Sequence, residues 1–239
     1  MNTTYKTFDF KEGETILIDK PYTWTSFDVV NKVRYRLKRL LGVKKIKVGH
    51  AGTLDPLATG LLILCTGKST KTIDNIQGQI KEYTGEFELG KTTPSFDLES
   101  EFDAEFSTDH ITPDLITEIT QCFIGEIDQV PPMFSAIKVD GKRLYELARK
   151  GKEAEVKSRK ITIHSFDVSI ENFPIIDFKI VCSKGTYIRS IARDFGEKLN
   201  SGAYLKSLRR TKIGDYAIED SVDLDHFIQH LEQLADANS

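Results

Sequence analysis

Residues 61–65 read LLILC, an unbroken apolar run short enough for a buried strand, and the twelve residues before it, GHAGTLDPLATG, form a turn-rich approach. The glycines permit tight turns, and Pro56 fixes the backbone immediately after the acid Asp55. One carboxylate is thereby placed on a stiff scaffold, near the histidine His50. Taken locally, the pattern suits an aspartate that orders an Asx-type turn just as well as a reactive one.

Elsewhere strand-like and helix-like segments follow one another irregularly. A short strand over 14–18 enters DKP, and Ser26 offers an N-cap for a helix over 27–41. Val29, Val30, Val33, Leu37, Leu40 and Leu41 form the apolar side of that helix, a basic row forms the other, and Gly42 ends it. Residues 69–76 read as helical and 81–89 as an alternating strand around Tyr83, Phe87 and Leu89. The acidic stretch 92–111 has weak periodicity and reads as an exposed excursion or an irregular pair of edge strands. Thr112 and Pro113 open a helix through Cys122, residues 142–150 read as a short basic amphipathic helix, and strands are expected within 156–170 and 177–181. Helices over 187–199 and 222–234 complete the set. This order is not a regular βαβ alternation, so the expectation is an α+β fold with a central mixed sheet and flanking helices. One main domain over 1–212 and a short helical tail over 213–239 are expected, because too little chain follows Arg210 for a second domain.

The 239 residues supply a sizeable core, and no apolar run approaches the length that spans a bilayer. The start, MNTTYKTFDFKEGE, lacks the basic flank and apolar centre of a secretory signal, so the cytoplasm is the expected compartment. Cys65, Cys122 and Cys182 are far apart, with no CxxC spacing for zinc or redox work. The net charge of -3 argues alone against a nucleic-acid partner, but its distribution argues for one. Residues 32–47 hold eight Lys or Arg and no acid, whereas 97–128 hold ten acids and no Lys or Arg. Such segregation favours a polyanion on one surface, because attraction to phosphate is screened within about 10 Å.

Several chemistries are poorly supported. No paired carboxylates suit glycoside hydrolysis, and GxxxxGK[ST], HExxH and GxSxG are missing; TGKST at 66–70 lacks the upstream glycine. A lone aspartate can act on a ribonucleoside lifted from its stack, provided an aromatic or apolar surface replaces stacking and a cation holds the acid ionised. Tyr83 and Arg189 are the candidates.

Five blocks, DKPYTWTSFDVV, GHAGTLDPLATG, KEYTGEFELG, PPMFSAIKVDGKRLYELARKG and SKGTYIRSIARDFG, occur in an order that resembles the bacterial tRNA pseudouridine-55 synthases, over roughly 16–210. The resemblance implies a pseudouridine synthase fold with an RNA-gripping thumb at about 131–159. It also implies isomerisation of the T-loop uridine of tRNA without metal or organic cofactor. The family's catalytic aspartate falls on Asp55 and its base-packing tyrosine on Tyr83; Arg189 matches the arginine that pairs with the aspartate, beside Tyr187. Leu208 matches an apolar wall of the pocket, His50 a residue that helps hold the opened T loop, and Lys20 with Pro21 the element under the floor of the site. Met133, Phe134 and Arg143 belong to the thumb segment that contacts RNA. The implied partner is the tRNA T arm, with no membrane, no obligate protein partner and a monomeric state.

Three departures bear on these expectations. Thr23 stands where KPxGxTS has glycine, so the early loop is expected to take a different backbone shape; Phe134 replaces the tyrosine of PPxYSA. Longer members carry a C-terminal RNA-binding domain of the PUA type, for which this sequence leaves no room after 212. Two other readings compete: a catalytically silent tRNA-binding or RNA-folding protein, and a protein-interaction module using the acidic surface.

Overall fold

The computed structural model describes residues 8–139, 141–152 and 154–237. The first seven residues, Asp140 and Glu153 of the expected thumb, and the last two residues of the expected tail lie outside that description. The chain forms two compact units, one running to Gln79 and resuming at Arg209, the other comprising Ile80–Leu208.

In the first unit, the expected buried strand is longer than LLILC. Strand β1 (Thr15–Lys20) leads into helix α1 (Ser26–Leu40), then β2 (Val48–His50) and β3 (Ala58–Thr66). A 3-10 turn, Gly67–Thr72, continues as helix α2 (Ile73–Gln77), so the helical expectation over 69–76 holds with a tighter first half. β3 pairs antiparallel with β1, Ile18 opposite Leu62, and with β2. α1 starts one residue earlier than expected and its N-cap is Thr25, not Ser26. Thr25 accepts from the Asp28 backbone N–H while the Asp28 carboxylate accepts from that of Thr25, a complete capping box. Ser26 points inward instead.

The second unit opens with β4 (Lys81–Leu89), with the bounds that alternation predicts. Short strands β5 (Lys91–Thr92) and β6 (Ala104–Glu105) pair antiparallel. The expected exposed excursion is therefore a strand pair, but its connection is partly interior: Thr93, Ser95 and Asp97 are buried and satisfied locally, with Thr93 and Ser95 hydroxyls donating to the Asp97 carbonyl. Helix α3 (Pro113–Gln121) is capped by Thr112 as expected. β7 (Gly125–Gln129) follows, then the hairpin β8 (Lys138–Val139) and β9 (Lys142–Arg143), and helix α4 (Leu144–Ala148). The basic helix expected over 142–150 is thus half as long, because Lys142 and Arg143 pair in the hairpin. β10 (Arg159–Ser169), β11 (Ile175–Cys182) and helix α5 (Ile188–Lys198) lead to β12 (Ala203–Ile213). Beside β4 the order is β11, β10, β7, all antiparallel. A ring cluster of Phe87, Phe123, Phe166, Phe178 and Phe195 fills this unit, with Phe87 and Phe178 stacked at 4.2 Å.

β12 runs through the boundary, its 203–208 portion in the second unit and its 209–213 portion in the first. Both portions lie close to a glycine. A Cβ on Gly85 would sit 2.2 Å from the Ser207 carbonyl oxygen, and one on Gly60, whose φ is +100°, would sit 2.3 Å from that of Arg210. The first unit is completed by β13 (Tyr216–Ala217), β14 (Val222–Asp223), parallel to β1, and helix α6 (Leu224–Ala237). Leu224, Phe227, Ile228 and Leu231 of α6 share a core with Val29, Val30, Val33 and Leu37 of α1. Among the described residues no helix is long and apolar enough to cross a membrane.

Candidate active site

The turn carrying Asp55 is held by its backbone from three directions. Arg210, almost fully buried, donates through Nε to the Leu61 carbonyl at 2.8 Å and through Nη2 to that of Gly52 at 3.0 Å. Ser26, on the first turn of α1, accepts from the Leu54 N–H at 2.8 Å and donates to the Leu54 carbonyl at 3.1 Å. On the far side, the Pro56 carbonyl accepts from the Thr23 N–H at 2.9 Å and from Lys20 Nζ at 3.3 Å. Both neighbours of Asp55 are therefore fixed, while Asp55 itself is half-buried. It is accessible, not sealed in the interior.

Lys20 is fully enclosed at 0% exposure, and its ammonium also donates to the carbonyls of Pro21 and Trp24. Burial lowers its pKa to about 8, with the Asp55 carboxylate opposing that fall and the Arg210 cation reinforcing it. It therefore acts on the turn from beneath. His50, at the end of β2, is half-buried, and burial lowers its pKa from the ordinary value, against a Gly52 backbone interaction and with help from Arg210. A neutral imidazole is favoured there.

Thr23, in the early loop, is one of three non-glycine residues with a positive φ among the described residues. Its φ of 70° lies in the left-handed region, the conformation a glycine would supply, and a β-branched residue occupies it at a cost. In that conformation its N–H donates to the Pro56 carbonyl at 2.9 Å.

The other candidates lie in the second unit. Tyr83 is buried on β4, opposite Ile180 of β11. Arg189, at 3% exposure in the first turn of α5, donates through Nη2 to the Phe134 carbonyl at 2.8 Å and through Nη1 to the Ser95 carbonyl at 3.2 Å. Its Nε lies 3.5 Å from Asp97 Oδ2, a buried ion pair that the sequence reading missed. The signal was hidden because Asp97 is one of several acids in the stretch 92–111 and nothing local marks it as the buried one. Phe134 and Arg189 are thus brought together through the Phe134 backbone.

Tyr187 is positioned from two sides. Gln129, fully buried at the end of β7, accepts from its N–H at 2.8 Å and donates to its carbonyl at 3.1 Å, while the Arg159 guanidinium lies 4.6 Å from its ring centre. Neither Gln129 nor Arg159 was singled out from the sequence. Met133 and Leu208 are half-buried, and Arg143 is exposed, donating to the Tyr145 hydroxyl at 3.3 Å. Among the described residues no cluster of His, Cys, Asp and Glu is arranged to hold a metal ion.

Comparison with known proteins places these residues in context. Residues 38–188 match the model of the TruB family pseudouridylate synthase N-terminal domain, and 189–238 match the tRNA pseudouridylate synthase B C-terminal domain. The chain is 57% identical over 225 residues to tRNA pseudouridine synthase B of Phocaeicola vulgatus, covering 94% of this chain and 96% of that one. It is 58% identical to the protein of the same name in Flavobacterium johnsoniae, covering 94% and 98%. Among solved structures it is similar to a chain in a Cbf5–Nop10–Gar1 complex, with a TM-score of 0.67 and 26% identity over 92% of this chain, although it spans only 54% of that one. A chain of an H/ACA RNP bound to a substrate RNA containing 2'-deoxyuridine shares the fold, with a TM-score of 0.69 and 23% identity, covering 96% of this chain and 56% of that one.

Proposed function

This chain belongs to the TruB family of tRNA pseudouridine synthases, RNA-binding isomerases of tRNA processing, and from that premise we propose that it converts uridine 55 in the T loop of tRNA to pseudouridine. The observation that carries the reading is the Asp55 turn, where an accessible carboxylate stands between two neighbours fixed by buried groups. Preorganisation of this kind serves a reacting group, because a nucleophile or base held in place loses little freedom on reaching its target. An Asx turn alone would not need a buried lysine and a buried arginine beneath it.

In this reading the T arm is bound, the target uridine leaves its stack, and Asp55 engages the nucleoside. The N1 glycosidic bond breaks, the retained uracil rotates, a bond forms from C5, and the C5 proton departs. Tyr83 supplies a ring surface for the extruded base, and Arg189, fixed by Asp97, Ser95 and Phe134, supplies the cation. His50 and Leu208 supply pocket surface, and Met133, Phe134, Arg143 and Tyr187 contact the RNA. A monomer working in the cytoplasm on the T arm completes the proposal.

The test is an unmodified T-arm minihelix carrying tritium at C5 of the target uridine. Wild-type protein releases tritium; Asp55→Ala binds the minihelix with affinity within a few-fold of wild type and releases none. Normal turnover by Asp55→Ala removes the assignment of the aspartate. Binding without release by the wild-type protein identifies it as a silent RNA-binding protein instead.

A further inference from the structure

Helix α1 buries one side and turns a broad arc outward. At 100° per residue, Arg34, Phe27, Lys38, Asn31, Tyr35, Arg39 and Lys32 fall in sequence around that arc. Its one acid, Asp28, is spent in the capping box. The chain then leaves α1 through Gly42 and carries Lys44, Lys45 and Lys47, all exposed, directly into β2 and His50.

Two of these cations are engaged within the protein. Arg36 pairs with Glu232 of α6 at 2.6 Å, and Arg34 donates to Asn31 and to the Val48 carbonyl, tying α1 to β2. Among the described residues, Lys32, Lys38, Arg39, Lys44, Lys45 and Lys47 form no ion pair. Six like charges within sixteen residues repel one another, and water and salt relieve that repulsion only in part. The arc also exposes two aromatic rings, Phe27 at 59% and Tyr35 at 55%, each with an arginine about 6 Å from its centre. Exposed rings among unpaired cations form the combination that holds a nucleic-acid strand, the cations on phosphates and the rings against bases.

We propose that the outer arc of α1 and the loop 42–47 form an RNA-backbone-binding face that takes tRNA phosphates, with Phe27 and Tyr35 available to an unpaired base. The proposal rests on the reading that this protein acts on tRNA, and deepens it by assigning a binding surface to the first unit. An acidic protein or an anionic membrane would also satisfy the charges; RNA is favoured because the chain belongs to a family of tRNA pseudouridine synthases.

The experiment compares wild-type protein with a variant carrying K38Q, R39Q, K44Q and K45Q, none of which is placed in the catalytic machinery. Affinity for unmodified tRNA is measured from 50 to 300 mM salt, alongside the rate of pseudouridine formation at saturating tRNA. Four lost phosphate contacts weaken binding about tenfold or more at low salt and reduce the steepness of log K against log salt by about 3. KM rises accordingly while kcat is unchanged. Substitution of the same four positions by arginine retains the wild-type slope, and Phe27→Ala weakens binding without changing it. A Gln variant that melts like wild type and keeps both its affinity and its salt slope overturns the proposal. So does one that loses binding to phosphatidylserine vesicles but not to tRNA. If wild type forms no pseudouridine while the slope still falls, the catalytic reading fails and this face stands.

Discussion

Thr23 is a branched residue held in a backbone conformation that favours glycine. With φ at 70°, it holds a conformation that costs a branched side chain about 1–2 kcal/mol, and its N–H is committed to the Pro56 carbonyl beside Asp55. Thr23→Gly therefore raises stability by about 1 kcal/mol in urea denaturation, with turnover preserved, the relief of strain exceeding the extra freedom of the unfolded glycine. Lys20 yields a second prediction. Its pKa of about 8 reflects burial partly offset by the Asp55 carboxylate, so Asp55→Asn lowers it further, measurable from the Lys20 Cε resonance. The sign for stability follows. The folded state favours the uncharged amine, so this group opposes folding fully below about 8, and that opposition fades as pH rises from about 8 toward 10.5. Wild type gains stability over that window relative to Lys20→Met in denaturant titrations at pH 7.5 and 9.5; equal changes in both proteins would contradict the assignment. The resemblance could place Asp55 and Arg189 on the chain but not their supports. Ser26 and Arg210 hold the Asp55 turn, Asp97 pairs with Arg189, and Gln129 likewise holds the backbone of Tyr187, all from positions distant in sequence that no spacing rule reveals.

At the scale of elements, legibility followed the simplicity of burial. β4 alternates cleanly and its bounds were read from the pattern, as was the Thr112 cap of α3. The start of α1 shifted because adjacent Thr25 and Ser26 both offer hydroxyls, and only the fold decides which faces the helix. β12 escaped notice altogether. AYLKSLRRTKI carries four cations, and the burial of Arg210 depends on carbonyls of 52, 53 and 61 that a local pattern does not contain. β3 and β12 approach closely at Gly60, where a methyl group meets the Arg210 backbone and φ is unfavourable for any side chain. Gly60→Ala is expected to destabilise by about 2 kcal/mol or more and to lower kcat by disturbing the Asp55 turn, seen together in a melting curve and a tritium-release assay. A variant with normal kcat and normal melting would show that the approach is relaxed at little cost.

For the whole molecule, charge distribution proved a better guide than net charge. The net value of -3 conceals the 32–47 run, whose members without an ion pair lie on one helix and the loop after it. The division into compact units was not legible, because the first unit is assembled from both ends of the sequence and gives no compositional boundary. α6 supplies core residues to that unit, so Leu231→Ala is expected to cost about 2–5 kcal/mol, and a chain ending at Ile213 to lose the cooperative melting of the first unit. Retention of wild-type melting by the shortened chain would show that α6 is dispensable.

That shared core has a consequence for synthesis. Translation delivers α1 and the Asp55 turn well before α6, so a growing polypeptide carries α1 for most of its synthesis without the helix that shares its core. Ile80–Leu208 emerges whole before α6 and is free to fold first, leaving the first unit as the later of the two to complete its core.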